Sequence, residues 1–155
     1  MFEQFAASAR AVVTSALEEA TRRGDRRIST EHLLLGVLHA PGPARAAGTE
    51  PEAARAALDA LDRSALALVG IDVQGVERPP VPASRKRTPL TSGARAVLAR
   101  ALTETRRAGS RRITPEHLLL ALLDCERPDP AADLITQLGV DRTATRHRLR
   151  GPAAA

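Results

Sequence analysis

The chain carries one segment twice. Residues 10–39 align with residues 95–124 at a constant offset of 85 residues without gaps, and 17 of the 30 aligned positions are identical. Self-similarity at a fixed spacing indicates one structural unit used twice. The best-matched stretch has the pattern Arg-Arg-Ile-(Ser/Thr)-X-Glu-His-Leu-Leu-Leu, so a fold for this chain must accommodate two equivalent copies of it.

Each copy is predicted to open with an amphipathic helix. Apolar residues recur at helical spacing over residues 2–23 in the first copy and over 92–108 in the second. Gly24 and Gly109 follow these stretches, where a helix commonly ends in a left-handed glycine.

A second helix is predicted to follow in each copy. Ser29 and Thr114 are its expected N-caps, and a negative charge in the first turn suits the helix dipole. Pro115 occupies the favoured first helical position in copy two. The body is almost fully apolar, which indicates a central helix, and residues 40–43, Ala-Pro-Gly-Pro, are expected to end it in copy one.

Two shorter helices are predicted to complete each copy. In copy one we expect them at about residues 51–61 and 63–69. In copy two we expect them at about 129–138 and 141–149, on either side of a Leu-Gly-Val-Asp break. No stretch alternates as a strand does, so the predicted fold is all-α.

The predicted domain is built of two tandem four-helix repeats with pseudo-two-fold symmetry. Residues 1–150 form this double domain, with repeat one at 1–74, a proline-rich linker at 75–89 and repeat two at 90–150. Residues 151–155 are expected to form a flexible tail.

The composition excludes several classes of protein. No apolar run approaches 20 residues, and the N-terminus lacks the pattern of a secretory signal, so neither a membrane protein nor a secreted one is expected. The single cysteine cannot form an internal disulfide, which favours the cytoplasm. Although the net charge is +5, the arginines are spread among acidic residues, and two Phe are the only aromatics. We therefore expect no nucleic-acid partner.

Motifs for catalysis are missing from the sequence. It has no phosphate-binding loop of the Gly-x-x-x-x-Gly-Lys-(Ser/Thr) type and no His-Glu-x-x-His motif. His32 and His117 lie 85 residues apart and are expected to bond to the backbone near a helix start. Cys125 has no predicted base beside it and is interpreted as structural. We expect neither an enzyme nor a metal or cofactor site.

The motifs resemble those of the N-terminal domain of Clp unfoldases, particularly the ClpC type. The resemblance covers about residues 1–150. It rests on the doubled Glu-His-Leu-Leu-Leu motif and on three further stretches: Met1-Phe2-Glu3-x-Phe5-x-x-x-Ala9-Arg10-x-Val12-Val13, Pro89-Leu90-Thr91-x-x-Ala94-Arg95 and Leu138-Gly139-Val140-Asp141.

This resemblance implies a non-enzymatic module that docks adaptors and substrates of a Clp ATPase and its protease partner. The chain stops after the domain, which favours a stand-alone protein without ATPase modules that regulates or assists proteolysis. Without those modules, a monomer is the expected state.

Some ClpC-type relatives bind phosphorylated arginine once per repeat, and the resemblance transfers the site to named positions. The motif glutamates, Glu31 and Glu116, would accept hydrogen bonds from the guanidinium. A threonine near the start of each repeat would hold the phosphate, and this position is Thr91 in copy two but Ala6 in copy one.

The residue before the motif glutamate also differs between the copies, being Thr30 in one and Pro115 in the other. The alternative is that both glutamates are ordinary first-turn residues favoured by the helix dipole.

A second hypothesis is a decoy that sequesters cyclic-peptide antibiotics aimed at the unfoldase. In the family, such peptides wedge between the repeats against two aromatic side chains. Phe2 matches the first aromatic and Leu90 stands at the second, so Phe2, Phe5 and Leu90 are the candidate inter-repeat apolar site. The alternative for Phe2 is a core anchor at the helix start.

Overall fold

The computed structural model describes residues 2–77, 79 and 88–151. Within these ranges the chain is all-α and contains no β-strand. This confirms the predicted fold of two four-helix repeats. The elements are a short 3-10 helix at Phe2–Gln4, α1 at Ala7–Arg23, α2 at Thr30–Leu38, α3 at Pro41–Ala47, α4 at Pro51–Leu68, α5 at Ser92–Arg107, α6 at Pro115–Leu122, α7 at Pro130–Gln137 and α8 at Arg142–Arg150.

In each repeat the first helix ends, and the second helix begins, at the predicted residues. Gly24 after α1 and Gly109 after α5 both have positive φ angles, 77° and 65°, a conformation that costs glycine little. Ser29 and Thr114 are the N-caps of α2 and α6.

The start of α1 differs from the prediction. A helix was expected from residue 2, but α1 begins only at Ala7. Phe5 instead forms an isolated bridge with Ile113, and the backbone on either side of Phe5 is hydrogen-bonded to Ile113. These bonds hold Phe5 out of a helix.

The prediction for the last two helices of repeat one was wrong. Residues 40–43 end α2 as expected, but Pro41 also opens α3, because proline at the first helical position loses no hydrogen bond. Gly48 ends α3 with a φ of 70°. No glycine or proline follows Pro51 before Gly70, so α4 runs on through the break expected near residue 62.

In repeat two the predicted short helices are confirmed as α7 and α8, whose N-caps are Asp129 and Asp141. The predicted linker at 75–89 and the tail at 151–155 fall mostly outside the described residues. The repeat limits therefore stay predictions.

The two repeats interlock. Within each repeat the first two helices pair, α1 with α2 and α5 with α6. The third helix, in contrast, packs across the molecule: α3 lies on α6 and α8, and α7 lies on α2 and α4. Helices α2 and α6 also touch each other at the centre. Each repeat thus supplies one face of the core of the other.

The core is formed largely by the two central helices. Every residue of α2 except Glu31 is buried, and so is every residue of α6 except Glu116. The largest fully buried side chains include Phe5, Leu33, Leu35, Leu38, Ile113, Leu118, Leu119, Leu122 and Leu134.

None of the helices in the described part of the chain is long and apolar enough to span a membrane.

One buried carboxylate ties α1 to α4. Glu19 is only 2% exposed, and its Oε1 accepts hydrogen bonds from Arg55 Nη2 at 2.5 Å and from His39 Nε2 at 3.2 Å. Burial alone would raise the pKa of Glu19, but the hydrogen bonds from Arg55 and His39 outweigh it and lower that pKa. Glu19 therefore stays ionised and paired.

The tight pairing of α1 with α2 depends on a glycine. A Cβ placed on Gly36 would lie 2.5 Å from the carbonyl oxygen of Val12 and 3.0 Å from the backbone nitrogen of Ala16. The position equivalent to Gly36 in repeat two is Ala121. The two helix pairs therefore cannot have the same separation at this point.

We predict that Gly36→Ala destabilises the protein by about 1–3 kcal/mol, because the added methyl overlaps backbone atoms that cannot move aside cheaply. In an unconstrained helix the same change stabilises by up to about 1 kcal/mol. Urea unfolding followed by circular dichroism measures the difference. Ala121→Gly is the matched control and should cost roughly 1 kcal/mol. Unchanged or increased stability of Gly36→Ala would contradict the close approach.

Candidate ligand sites at the two repeat junctions

Two short backbone pairings join the repeats, and we call their surroundings junction one and junction two. At junction one the backbone N–H of Ile28 donates to the carbonyl of Pro89 at 3.0 Å, and that of Thr91 donates to the carbonyl of Ile28 at 3.0 Å. The start of α5 is thereby held against the start of α2.

Junction two repeats this arrangement with the roles of the copies exchanged. The backbone N–H of Ala6 donates to the carbonyl of Ile113 at 2.9 Å, and that of Ile113 donates to the carbonyl of Gln4 at 2.8 Å. The start of α1 is thereby held against the start of α6. Each junction contains residues of both repeats.

This exchange changes which predicted site residues lie together. From the sequence, Thr91 was grouped with Glu116 in copy two, and Ala6 with Glu31 in copy one. In the structure Thr91 of repeat two lies beside the start of α2, which carries Thr30 and Glu31 of repeat one. Glu116 shares junction two with Ala6. The hydroxyl therefore belongs with Glu31 and not with Glu116.

Three helix N-termini meet at junction one. Thr30 Oγ1 donates to Asp129 Oδ1 at 2.6 Å, while the N–H of Ala131 donates to Thr30 Oγ1 at 3.2 Å and to Asp129 Oδ1 at 2.9 Å. A Cβ on Gly93 would lie 3.3 Å from both Asp129 Oδ2 and Thr30 Cγ2. The first turns of α2, α5 and α7 are thus in contact, and such N-termini favour anions.

The two hydroxyls at junction one already have partners. The Thr30 hydroxyl is held by Asp129, and Thr91 Oγ1 accepts from the backbone N–H of Ala94 at 3.2 Å as the N-cap of α5.

Glu31 is half-buried, and its Oε2 is buried without a hydrogen-bond partner among the described residues. Because unpaired buried oxygens are costly, Glu31 is equipped to accept hydrogen bonds from a ligand.

Junction two has the same helix arrangement but fewer polar groups. Glu116 Oε1 lies 2.6 Å from the position of a Cβ on Gly42, at the start of α3. The first turns of α1, α3 and α6 therefore come together, as their counterparts do at junction one. Ala6 and Pro115, which stand at the positions of Thr91 and Thr30, bring no hydroxyl.

The motif histidines close the N-termini of the two central helices. Nδ1 of His32 accepts from the N–H of Ser29 at 3.0 Å, and Nδ1 of His117 accepts from the N–H of Thr114 at 3.1 Å. Each histidine is therefore the inner partner of a capping box. The expectation that both bond to the backbone near a helix start is confirmed.

The two imidazoles differ at their other nitrogen. Nε2 of His32 lies 2.9 Å from Asp25 Oδ2, whereas the position of Asp25 is Ser110 in repeat two. Burial lowers the pKa of His117, although Glu116 and Glu104 act against this. His117 is therefore neutral at neutral pH, as acceptance at Nδ1 requires.

The candidate inter-repeat apolar residues are unequally placed. Phe5 is fully buried, at 0% exposure, and its backbone is part of junction two. Leu90 is half-buried and bridges Ile28 at junction one. The side chain of Phe2 lies outside the described part of the structure. Phe5 and Leu90 occupy equivalent positions of the two repeats, at opposite junctions.

Cys125 is a buried residue whose thiol is held out of reach. It is 2% exposed, and Arg100 Nη2 donates to its Sγ at 3.4 Å. Burial raises the pKa of Cys125, which keeps the thiol protonated and unreactive. Among the described residues no three His, Cys, Asp or Glu side chains are arranged to hold a metal ion.

Asp129 and Gly42 are site residues that the sequence analysis missed. Asp129 precedes Pro130, a pattern typical of a helix N-cap, and this is the signal that could have drawn attention to it. Its contact with Thr30 spans 99 residues of sequence and follows from the interlocked packing of α7 on α2.

Comparison with protein families identifies the domain. A family model described as the Clp repeat (R) N-terminal domain matches residues 4–127 and, in a second match, residues 89–153. The chain belongs to this family. It is 31% identical over 146 residues to the chloroplastic chaperone protein ClpC1 of Oryza sativa subsp. japonica. It is 30% identical over 151 residues to an ATP-dependent Clp protease ATP-binding subunit ClpA homolog of Guillardia theta.

These alignments cover 91% and 94% of this chain but only 14% and 16% of the two relatives.

Solved Clp N-terminal domains show the same fold. The ClpD domain of Arabidopsis thaliana matches with a TM-score of 0.70 at 19% identity, over 96% of both chains. The Hsp104 domain of Candida albicans matches with a TM-score of 0.67 at 17% identity, over 94% of this chain and 89% of that one.

We predict that acid weakens this Clp domain partly through His117. Its pKa is below the usual 6.5 in the folded state, so the unfolded chain binds a proton that the folded chain does not. The contribution of His117 to the free energy of unfolding should therefore be unchanged well above about pH 6.5 and should become destabilising as the pH falls through this value. His117→Gln keeps a capping-box partner but does not titrate, so it should lose that part of the slope. Urea unfolding between pH 7.5 and 5 measures both proteins, and parallel curves would contradict the assignment.

Proposed function

We propose that this chain is a protein-binding module that recognises adaptors or substrates of a Clp unfoldase and regulates or assists regulated proteolysis. Membership of the Clp N-terminal domain family supports a binding role. The relatives carry names that describe ATP-binding subunits and chaperones. Because the aligned part is a small share of their length, the proposal does not extend ATP binding to this chain.

The ligand we propose for the junctions is a phosphorylated arginine side chain. The buried, unpaired Oε2 of Glu31 beside three helix N-termini is the observation that carries this proposal. Phosphoarginine combines a phosphoryl anion with a guanidinium. Helix N-termini favour the anion, and a carboxylate accepts hydrogen bonds from the guanidinium. Junction one offers both kinds of group within a few residues.

The two junctions should bind unequally. Junction one has the hydroxyls of Thr30 and Thr91, but Asp129 already places a carboxylate at the same N-termini. Junction two has Glu116 beside α3 and no hydroxyl at the corresponding positions. We propose that junction one is the stronger site and that Asp129 limits its affinity by repelling the phosphoryl group.

The decoy role stays a second prediction. Phe5 offers a ligand no exposed surface, and Leu90 offers part of its side chain. A cyclic peptide would thus rest on fewer apolar groups than the three expected from the sequence.

We predict that Glu31→Gln weakens binding of a phosphoarginine peptide by about tenfold or more, because a charge-assisted hydrogen bond is lost. Asp129→Asn keeps the N-cap but removes a repelling charge, so it should strengthen binding. Isothermal titration calorimetry with phosphoarginine and arginine peptides of one sequence measures both effects. Glu18→Gln, on the exposed face of α1, is the control and should bind as the wild type does. Equal affinity of the wild type and Glu31→Gln would sink the phosphoarginine proposal.

We predict that the immobilised protein captures a Clp ATPase subunit, its adaptors or known protease substrates from a lysate of its native cells. A Glu31→Gln/Glu116→Gln double variant serves as the matched bait. Mass spectrometry should show phosphoarginine-bearing proteins on the wild type and their depletion on the double variant. A capture without any Clp component or substrate would contradict the adaptor role, whatever the peptide titrations show.

A further inference from the structure

The two motif glutamates meet the third helix of the other repeat in different ways. At junction two, Oε1 of Glu116 lies 2.6 Å from the place that a Cβ would occupy on Gly42, and its Cδ lies 3.7 Å from that place. An oxygen atom cannot lie so close to a real Cβ, so only a glycine leaves room for it. The carboxylate of Glu116 therefore rests against the start of α3 because the residue there has no side chain.

Asp129 is the counterpart of Gly42 in repeat two. Each of them directly precedes a Pro-Ala pair at the start of the third helix of its repeat. Asp129 has a Cβ and a carboxylate of its own, and Oδ1 of that carboxylate accepts from the Thr30 hydroxyl at 2.6 Å and from the N–H of Ala131 at 2.9 Å. The start of α7 thus supplies its own carboxylate, where the start of α3 is met by that of Glu116.

Glu31 is left over at junction one as a consequence. The residue before it, Thr30, is bound to Asp129, and Oε2 of Glu31 is buried without a partner. Within the described part of the chain Glu116 has no such oxygen. A guanidinium pairs best with a carboxylate that presents both of its oxygens. Because Oε1 of Glu116 rests against Gly42, junction two offers less of its carboxylate to a ligand than it could.

We propose that Gly42 and Asp129 are positioning residues that decide whether a motif glutamate is available to a ligand. Gly42 lets Glu116 fill part of junction two itself, whereas Asp129 stands in for the glutamate at junction one and leaves Glu31 free. The effect on ligand affinity rests on the phosphoarginine binding proposed above, but the position of Glu116 does not. Gly42→Ala should move the carboxylate of Glu116 away from α3 and make it available.

This displacement should cost the protein little stability. The group in the way is the far end of a flexible, half-buried side chain, whereas a methyl on Gly36 would meet backbone atoms. Alanine is also more favourable than glycine within a helix. The melting temperature of Gly42→Ala should therefore equal or exceed that of the wild type. A clear decrease would show that Glu116 cannot move aside and would overturn the proposal.

NMR spectroscopy of the whole chain reads the position of Glu116 without any ligand. Nuclear Overhauser effects between the side chain of Glu116 and the backbone of residue 42 are expected in the wild type and should be lost in Gly42→Ala. The carboxyl carbon of Glu116 should shift, while that of Glu31 should not. Persistence of these effects with an unchanged carboxyl shift would overturn the proposal, whether or not phosphoarginine binds.

Titration calorimetry with the phosphoarginine peptide tests the consequence for a ligand. In a Glu31→Gln background only junction two keeps its motif glutamate, and adding Gly42→Ala should raise the affinity roughly tenfold. The matched control adds Glu116→Gln to this double variant and should lose the gain. A wild type that does not bind the peptide would contradict the phosphoarginine proposal alone. If the wild type binds, an unchanged affinity after Gly42→Ala, or a gain that survives Glu116→Gln, would overturn the role of Gly42.

Discussion

The structure depends on two reciprocal pairs of backbone hydrogen bonds between the repeats. Ile28 exchanges bonds with the segment before α5, and Ile113 exchanges them with the segment before α1. Since each first helix is thereby anchored at the second helix of the other repeat, neither repeat can complete its fold alone. The crossing of α3 onto α6 and of α7 onto α2 follows the same exchange. The repeated sequence therefore produces one domain with two composite junctions.

Convergence of helix N-termini is a direct consequence of this exchange. Each junction brings together the first and third helices of one repeat and the second helix of the other repeat. The positive ends of the helix dipoles are thus concentrated at two points. Buried central helices also need their own ends closed, and His32 and His117 do so by accepting backbone N–H groups. The scaffold and the candidate ligand sites therefore use the same few residues on either side of Thr30 and Pro115.

The ends of the paired helices could be predicted because their signals are local in the sequence. The sites could not, because they form by packing between residues that are remote in the sequence. Gly24, Gly109, Ser29 and Thr114 fix helix ends through their own backbone or side-chain chemistry, so the sequence located those ends correctly. The segment from Pro41 was misjudged because the same Pro-Gly-Pro that stops α2 also starts α3.

The position of Thr91 beside the other repeat could not be predicted for a different reason. A constant offset shows which residues are equivalent but not which residues touch. Thr91 lies at the start of α2 because Ile28 binds the strand-like segment on both sides of Leu90. No pattern within either copy encodes that pairing, and the contact of Thr30 with Asp129 is equally remote in sequence.

The carboxylates at the junctions also bear on which anion could bind there. Glu31 at junction one and Glu116 at junction two already lie in the first turns of α2 and α6. A simple phosphate would add a second negative charge beside a carboxylate, which is unfavourable in a partly buried site. Phosphoarginine carries its own guanidinium, which can pair with the carboxylate while the phosphoryl group meets the N–H groups. The resident carboxylates, which oppose the binding of a simple anion, would then select a ligand that carries both charges.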